Sequence, residues 1–273
     1  MSEHLFRSHA PITDVAWKTI EDDVRPRLHA LLAARRFVDF KGPLGWDYSA
    51  MDLGRANRID GPLPELSAFQ RWVLPIAEVR ADFTLSRHEL DDVARGARNV
   101  DLSALDHAAG CLARGENRAV FHGFPAAGIV GIAEASEHEP VVLDTDANER
   151  PVAIASAVET LRRAGVGGPY GFAVEPRVYT EIVEATERGG YPLLDHLREI
   201  LGGNVVEAPG IDGGVVLSER GGDFLFHCGQ DVSIGYAGHD ADTVGLYLEE
   251  SYGFQVLGPD AAVAVKVDGG HAA

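Results

Sequence analysis

From Val215 to Val256 the chain reads VVLSERGGDFLFHCGQDVSIGYAGHDADTVGLYLEESYGFQV, three strand patterns in succession with turn residues between them. In the last of them the even positions Val244, Leu246, Leu248, Tyr252, Phe254 and Val256 are apolar, and only Glu250 interrupts. That alternation predicts a strand of about 40 Å at roughly 3.3 Å per residue, against a usual strand of about 5–6 residues. A strand of that length outgrows one compact core. It predicts a sheet running the length of a flat subunit, with surplus apolar surface covered by neighbouring copies.

Elsewhere the period changes to that of a helix. Ile20, Val24, Leu28 and Leu32 recur at i, i+4 with Thr13 or Asp14 as cap, and Pro26 inside predicts a kink or two short helices. After the punctuated loop Gly42-Pro43-Leu44-Gly45-Trp46, two extended stretches, Asp47 to Ile59 and Phe69 to Leu85, flank a turn at Gly61, Pro62 and Pro64. They predict a long hairpin arm without a core of its own, stable only when packed on something else. Leu102 to Phe121 is the best long helix, capped by Asp101 or Ser103, and its Gly110 and Gly115 predict close packing. A separate α/β unit follows. Pro151 opens a helix to Arg163, Tyr170 to Val174 is a strand, Pro176 opens a helix ending at Gly189-Gly190, and Pro192 starts a third that stops at Gly202-Gly203. Short strands at Val205-Val206 and Val215 to Leu217 lead back to the long one, and the tail Asp268 to Ala273 is expected to be disordered.

Length and charge then narrow the class. A chain of 273 residues can bury a sizeable core without a metal or a disulfide, and Cys111 and Cys228 stand far apart outside any CxxC pattern. A reducing cytoplasm fits. No basic segment followed by an apolar run opens the chain, and nowhere do eighteen apolar residues stand together, which disfavours a standard export signal and a membrane span. With 24 Lys+Arg against 42 Asp+Glu, net −18, the chain lacks the positive field that nucleic-acid binding needs.

Candidate chemistry is thin. GVGGPYG at Gly165 to Gly171 follows a helix and precedes a strand, the reverse of a dinucleotide fingerprint, and Gly123 to Gly128 lacks the Lys and Ser or Thr of a phosphate loop. Both read as turns. The histidines form no HExxH, His227 and Cys228 point to opposite faces of their strand, and His239-Asp240 closes a turn. There is no GxSxG elbow, and the carboxylate pairs Asp91-Asp92 and Glu249-Glu250 are adjacent rather than facing. No catalytic residue, metal site or cofactor is expected. An acid/base pair assembled only in three dimensions stays open.

SERGGDFLFHCGQDVSIGYAGHD at Ser218 to Asp240 resembles the signature of the encapsulin shell proteins, also described as linocin-type. APITDVAW, AARRFVDF, GPLGWDYSAMDLG, FTLSRHELDD, ARNVDLSAL, GVGGPYGF, GGYPLLDHL and YLEESYGFQVL agree in order and spacing, from about Leu5 to Val267. The resemblance implies an α+β chain with the tailed-phage major capsid fold. It implies a discontinuous peripheral domain (1–46, 73–136 and 228–267), an extended loop (47–72) and an axial domain (137–227). It also implies self-assembly into an icosahedral shell of about 60 copies, closed by symmetry, around a cytoplasmic cargo enzyme, a peroxidase or a ferritin-like protein. Cargo would be recruited through its C-terminal targeting peptide, and the positions matching the family's peptide site are Leu28, Leu32, Arg35, Phe37, Asp39, Asp231, Ser233 and Ile234. A core strand with a local salt bridge explains the same residues without cargo. Glu187, Arg188, Gly189, Gly190 and Tyr191 fall where the family places its five-fold pore loop, and an ordinary helix-to-helix turn is the rival reading. A hydrolase, or a phage capsid protein that packages DNA, remain the alternatives from other classes.

Overall fold

A computed structural model describes residues 3–144, 146–187 and 190–267. Helix α1 (Asp14–Leu31) opens the fold, with Thr13 Oγ1 accepting from the Ala16 amide at 3.3 Å. It is one unbroken helix rather than two. Pro26 removes only its own amide bond, on the exposed side, while Trp17, Ile20, Val24 and Leu28 stay buried along the other. A 3-10 turn (Ala34–Arg36) and strand β1 (Asp39–Lys41) follow.

The arm consists of β2 (Ala50–Ile59) and β3 (Ala68–Pro75), an antiparallel pair that joins no other sheet. The second extended stretch is therefore not one strand: after Pro75 it resumes as β4 (Ala77–Ser86) and pairs with the long strand instead. Only the arm's base is anchored. Met51 is buried, and its Sδ lies 2.7 Å from where a Cβ on Gly253 would stand, so a side chain on the long strand at that crossing would have to displace the methionine.

Helices α2 (Arg87–Ala94) and α3 (Ser103–His122) come next. The N-cap of α3 is Leu102, without a side-chain cap, although Asp101 accepts from the Ser103 amide. A Cβ on Gly115 would meet nothing within 4 Å, so the close packing expected there is absent, and one on Gly110 would meet only Arg114 Nη1 of the same helix at 3.2 Å. A short helix α4 (Ile132–Ala135) leads to β5 (Val141–Leu143), α5 (Arg150–Arg163), β6 (Tyr170–Val174), α6 (Pro176–Glu184) and α7 (Leu193–Leu201). Helix α6 stops at Glu184, short of Gly189-Gly190, whereas α7 ends as its sequence implies, on Gly202 at φ 67°. The remaining strands are β7 (Val205–Glu207), β8 (Gly214–Ser218), β9 (Phe224–Cys228), β10 (Ser233–His239), β11 (Thr243–Val256) and β12 (Ala262–Val267).

Two sheets result. In the first, β11 pairs with β4 along one edge and with β10 and then β9 along the other, while β1 lies beside β9. The second runs β5-β12-β8-β6-β7. Residues 228–267 are thus not all of one sheet: β12, a buried aliphatic run, returns to the second sheet between β5 and β8, while β9 of the preceding segment lies in the first. The long strand itself contributes little of the expected surplus apolar surface, Val256 alone of its six apolar positions being half-buried. Val244, Leu246, Leu248, Tyr252 and Phe254 are all buried within the chain, because α1 and α3 cover one end of β11 and the other passes into the second core. The arm, by contrast, stays uncovered over most of its length.

Candidate functional site

Where α1 ends, the N-terminal turns (Glu3–Leu5 and Arg7–His9), the 3-10 turn after α1 and β10 meet it and leave a groove of about 550 Å³. Its apolar lining is Leu5, Val24, Leu28, Leu32, Val232 and Ile234, and its polar lining is Arg7, Glu21, Arg25, His29, Arg35, Arg36, Asp231 and Ser233. The i, i+4 spacing of α1 brings Val24 and Leu28 to the floor with Arg25 and His29 on the rim. Strand β10 supplies the opposite wall.

The groove's shape depends on two polar anchors to α3, one made by Asn117 and the other by Arg35 on Glu116. Asn117 accepts from the Ala34 amide at 3.0 Å and donates to the Leu31 carbonyl at 2.8 Å and the Pro209 carbonyl at 3.0 Å, which fastens the end of α1 to the middle of α3. Asn117→Ala strands these groups, each at a cost of about 1–3 kcal/mol, so the melting temperature should fall by several degrees while a distant surface substitution leaves it unchanged. A variant that melts with the parent would show that water replaces the amide.

Arg35 is the second anchor. Its Nε donates to Glu116 Oε1 at 3.0 Å and Oε2 at 2.8 Å, its Nη2 to Glu116 Oε2 at 2.6 Å and Glu250 Oε2 at 2.9 Å, and its Nη1 to Asp231 Oδ1 at 2.7 Å. The guanidinium also lies over Phe40 at 5.2 Å and Phe226 at 5.7 Å. Burial pulls its pKa down, but the carboxylates, Glu116 first, outweigh that and hold it above the ordinary arginine value. The Cys228 thiol beside this cluster is pushed up to about 12 by burial and by Asp231, which leaves it an inert core thiol.

Of the eight positions matched to a peptide site, Leu28, Leu32, Arg35, Asp231, Ser233 and Ile234 line the groove, and Phe37 and Asp39 do not. Phe37 is buried edge-on to Phe121, and Asp39 Oδ2 accepts from the Gly222 amide at 2.6 Å. Phe37 belongs to the packing beneath, and Asp39 to a turn at the surface. Leu5 and Arg7 come from the far N-terminus, where no periodic pattern marks them; only their proximity in the fold brings them in.

At the loop between α6 and α7, Glu187 and Tyr191 are held by mutual backbone contact and by α7: the Glu187 amide donates to the Tyr191 carbonyl at 2.9 Å, Glu187 Oε1 is hydrogen-bonded to His196 Nδ1 at 2.6 Å, and Tyr191 donates to Glu199 at 2.9 Å. Gly190 closes the turn back on Glu187, while Arg188 and Gly189 lie outside the described residues. Among the described residues, His88, Glu89 and Asp92 of α2 stand close enough to share an ion, but Asp92 is engaged by Arg95 and Glu89 by the Asp101 amide. No helix among the described residues is long and apolar enough to cross a membrane.

Comparison with known proteins agrees with this architecture. Residues 1–252 match the protein family described as "Encapsulating protein for peroxidase". A type 1 encapsulin shell protein of Rhodospirillum rubrum is 45% identical over 268 residues, 96% of each chain. The crystal structure of a virus-like particle from Pyrococcus furiosus superposes with a TM-score of 0.62 at 17% identity, over 90% of this chain and 97% of that one. The capsid of an empty GTA particle gives 0.52 at 15% identity, over 86% and 89%. These likenesses show the tailed-phage major capsid fold.

Proposed function

The chain belongs to the encapsulin shell-protein family, and from that premise we propose that its copies close into an icosahedral compartment of about 60 subunits that encloses a cargo enzyme in the cytoplasm. It is a structural shell protein rather than an enzyme. The observation that carries the assembly is the arm. Ile59, Leu63, Leu66, Phe69, Trp72 and Val73 are 45–64% exposed on a two-stranded ribbon with no partner layer, a surface that a lone soluble chain rarely carries. The first sheet with α1–α3 corresponds to the peripheral part, the arm to the extended loop, and the second sheet with α5–α7 to the axial part around a five-fold opening at Glu187–Tyr191. Light scattering and electron microscopy of the purified chain test this reading, with closed particles expected and a stable monomer contradicting it. The absorbance ratio of the particles should be that of protein without DNA.

The groove is the proposed seat of the cargo's C-terminal targeting peptide. Its aliphatic floor and cationic rim suit a short extended segment, and the family's description points to a peroxidase as occupant, with a ferritin-like protein as the other candidate. Ser233→Trp fills the groove from the β10 wall without touching the arm. Particles of this variant, co-expressed with a peroxidase that loads the parent particles, should form at normal yield and carry little or no cargo. Full loading would place the peptide elsewhere.

A further inference from the structure

We propose that Glu116 and Glu250 hold a single proton between them at neutral pH, and that this half-neutralised pair lets Arg35 fix the wall of the groove. Glu250 is then a positioning residue. The two carboxyl groups come from α3 and β11, are 0% and 1% exposed, and both accept from the same Arg35 nitrogen. Asp231 makes a third carboxylate on this one guanidinium, but its side chain is 46% exposed and water screens it. In the inner part of this cluster there remain one cation and two carboxyl groups.

A single guanidinium neutralises a single carboxylate, and a second buried charge without a partner is expelled by taking up a proton. Glu116 receives three contacts from Arg35 and is its counter-ion. Glu250 receives one, and its Oε1 is buried with no hydrogen-bond partner, the condition in which a neutral carboxyl is far cheaper than a carboxylate. Around the pair stand Arg35 from the 3-10 turn, Asp231 from the loop before β10, Cys228 from β9, Tyr252 from β11, and the rings of Phe40 and Phe226. Burial keeps the thiol and the phenol neutral, and no second cation faces the pair among the described residues. Burial first, and Glu116 next, push the Glu250 carboxyl well above its ordinary range against the pull of Arg35.

The sign of the linkage follows. A carboxyl whose pKa is raised by folding favours the folded state below its unfolded pKa and loses that advantage as pH rises to the folded value. Alkaline conditions should therefore charge Glu250, draw Arg35 inward from Asp231 and loosen the β10 wall. The effect on cargo rests on the reading of the groove given above, whereas the proton is observed without cargo.

The test uses assembled particles of the parent, Glu250→Gln and Glu116→Gln. Infrared spectra at neutral pH should show a protonated-carboxyl band in the parent that either substitution removes, since each leaves one carboxylate for one guanidinium. Melting temperatures measured from mildly acid to alkaline pH should fall more steeply for the parent than for Glu250→Gln, the two curves meeting at the acid end. Absence of the band from the parent, its survival in both variants, or parallel melting curves would overturn the proposal. Failure of Glu250→Gln to fold would overturn it as well, because glutamine has the shape and charge of the protonated acid.

Discussion

Replacing Phe69 and Trp72 together with aspartate should convert closed particles into free subunits or small oligomers without unfolding them. Both rings stand on β3, 64% and 49% exposed, and neither belongs to a buried core. Burying such a side chain at an interface is worth about 1.5–3 kcal/mol, and an interface that instead has to bury a carboxylate is penalised further. The loss recurs at every copy of a symmetric shell, so a modest cost per contact becomes failure of assembly. Size-exclusion chromatography with light scattering reads the size, and circular dichroism confirms that the subunit remains folded. Particles at the parent's yield would show that the arm's exposed aromatic side chains are not what join the copies.

Arg35→Met should destabilise the subunit by about 3–5 kcal/mol, the range found when one partner of a buried charge cluster is removed. Against a typical domain stability of about 5–15 kcal/mol, that is a large fraction. Glu116 and Glu250 would remain buried without their cation, and the contact that ties Asp231 to the end of α1 would be gone. The deficit should shrink as pH falls, since both carboxyls can then hold protons. Restoring an apolar filling with Arg35→Met, Glu116→Leu and Glu250→Leu together should recover much of the stability. Thermal unfolding decides: a single variant as stable as the parent would mean that the cluster contributes little, and a triple variant as weak as the single one would assign the loss to shape rather than charge.

The same cluster explains an irregularity in the sequence. Glu250 interrupts an otherwise apolar alternation and reads there as a flaw in a strand, yet it occupies its buried position because Arg35 meets it. Deleting Arg35 to Asp39 would accordingly do more than empty the groove, since Phe37 lies in the core and Asp39 anchors the Gly222 turn. The groove set shows a comparable limit. Leu28 and Leu32 are legible from helical spacing, but the same spacing predicts only burial, and it is the approach of β10 and the N-terminal residues that makes a groove of their edge.

What the sequence determined by itself was the family and fold class, through shared blocks of residues, and beyond that only local structure. Periods of two and of about 3.6 residues marked the strands and helices. Proline and glycine marked their ends, imperfectly at Pro26 and Gly189, and two apolar-bearing strands without a third announced an arm that needs a partner. The tertiary structure alone decided which strands share a sheet, that β12 leaves β11 for the second sheet, and that Arg35 meets residues 81 and 215 positions away. The physical reason is one of range. Backbone sterics and hydrophobic periodicity act over a few residues and are written along the chain, whereas pairing between distant charges and the covering of one surface by another depend on how the whole chain closes.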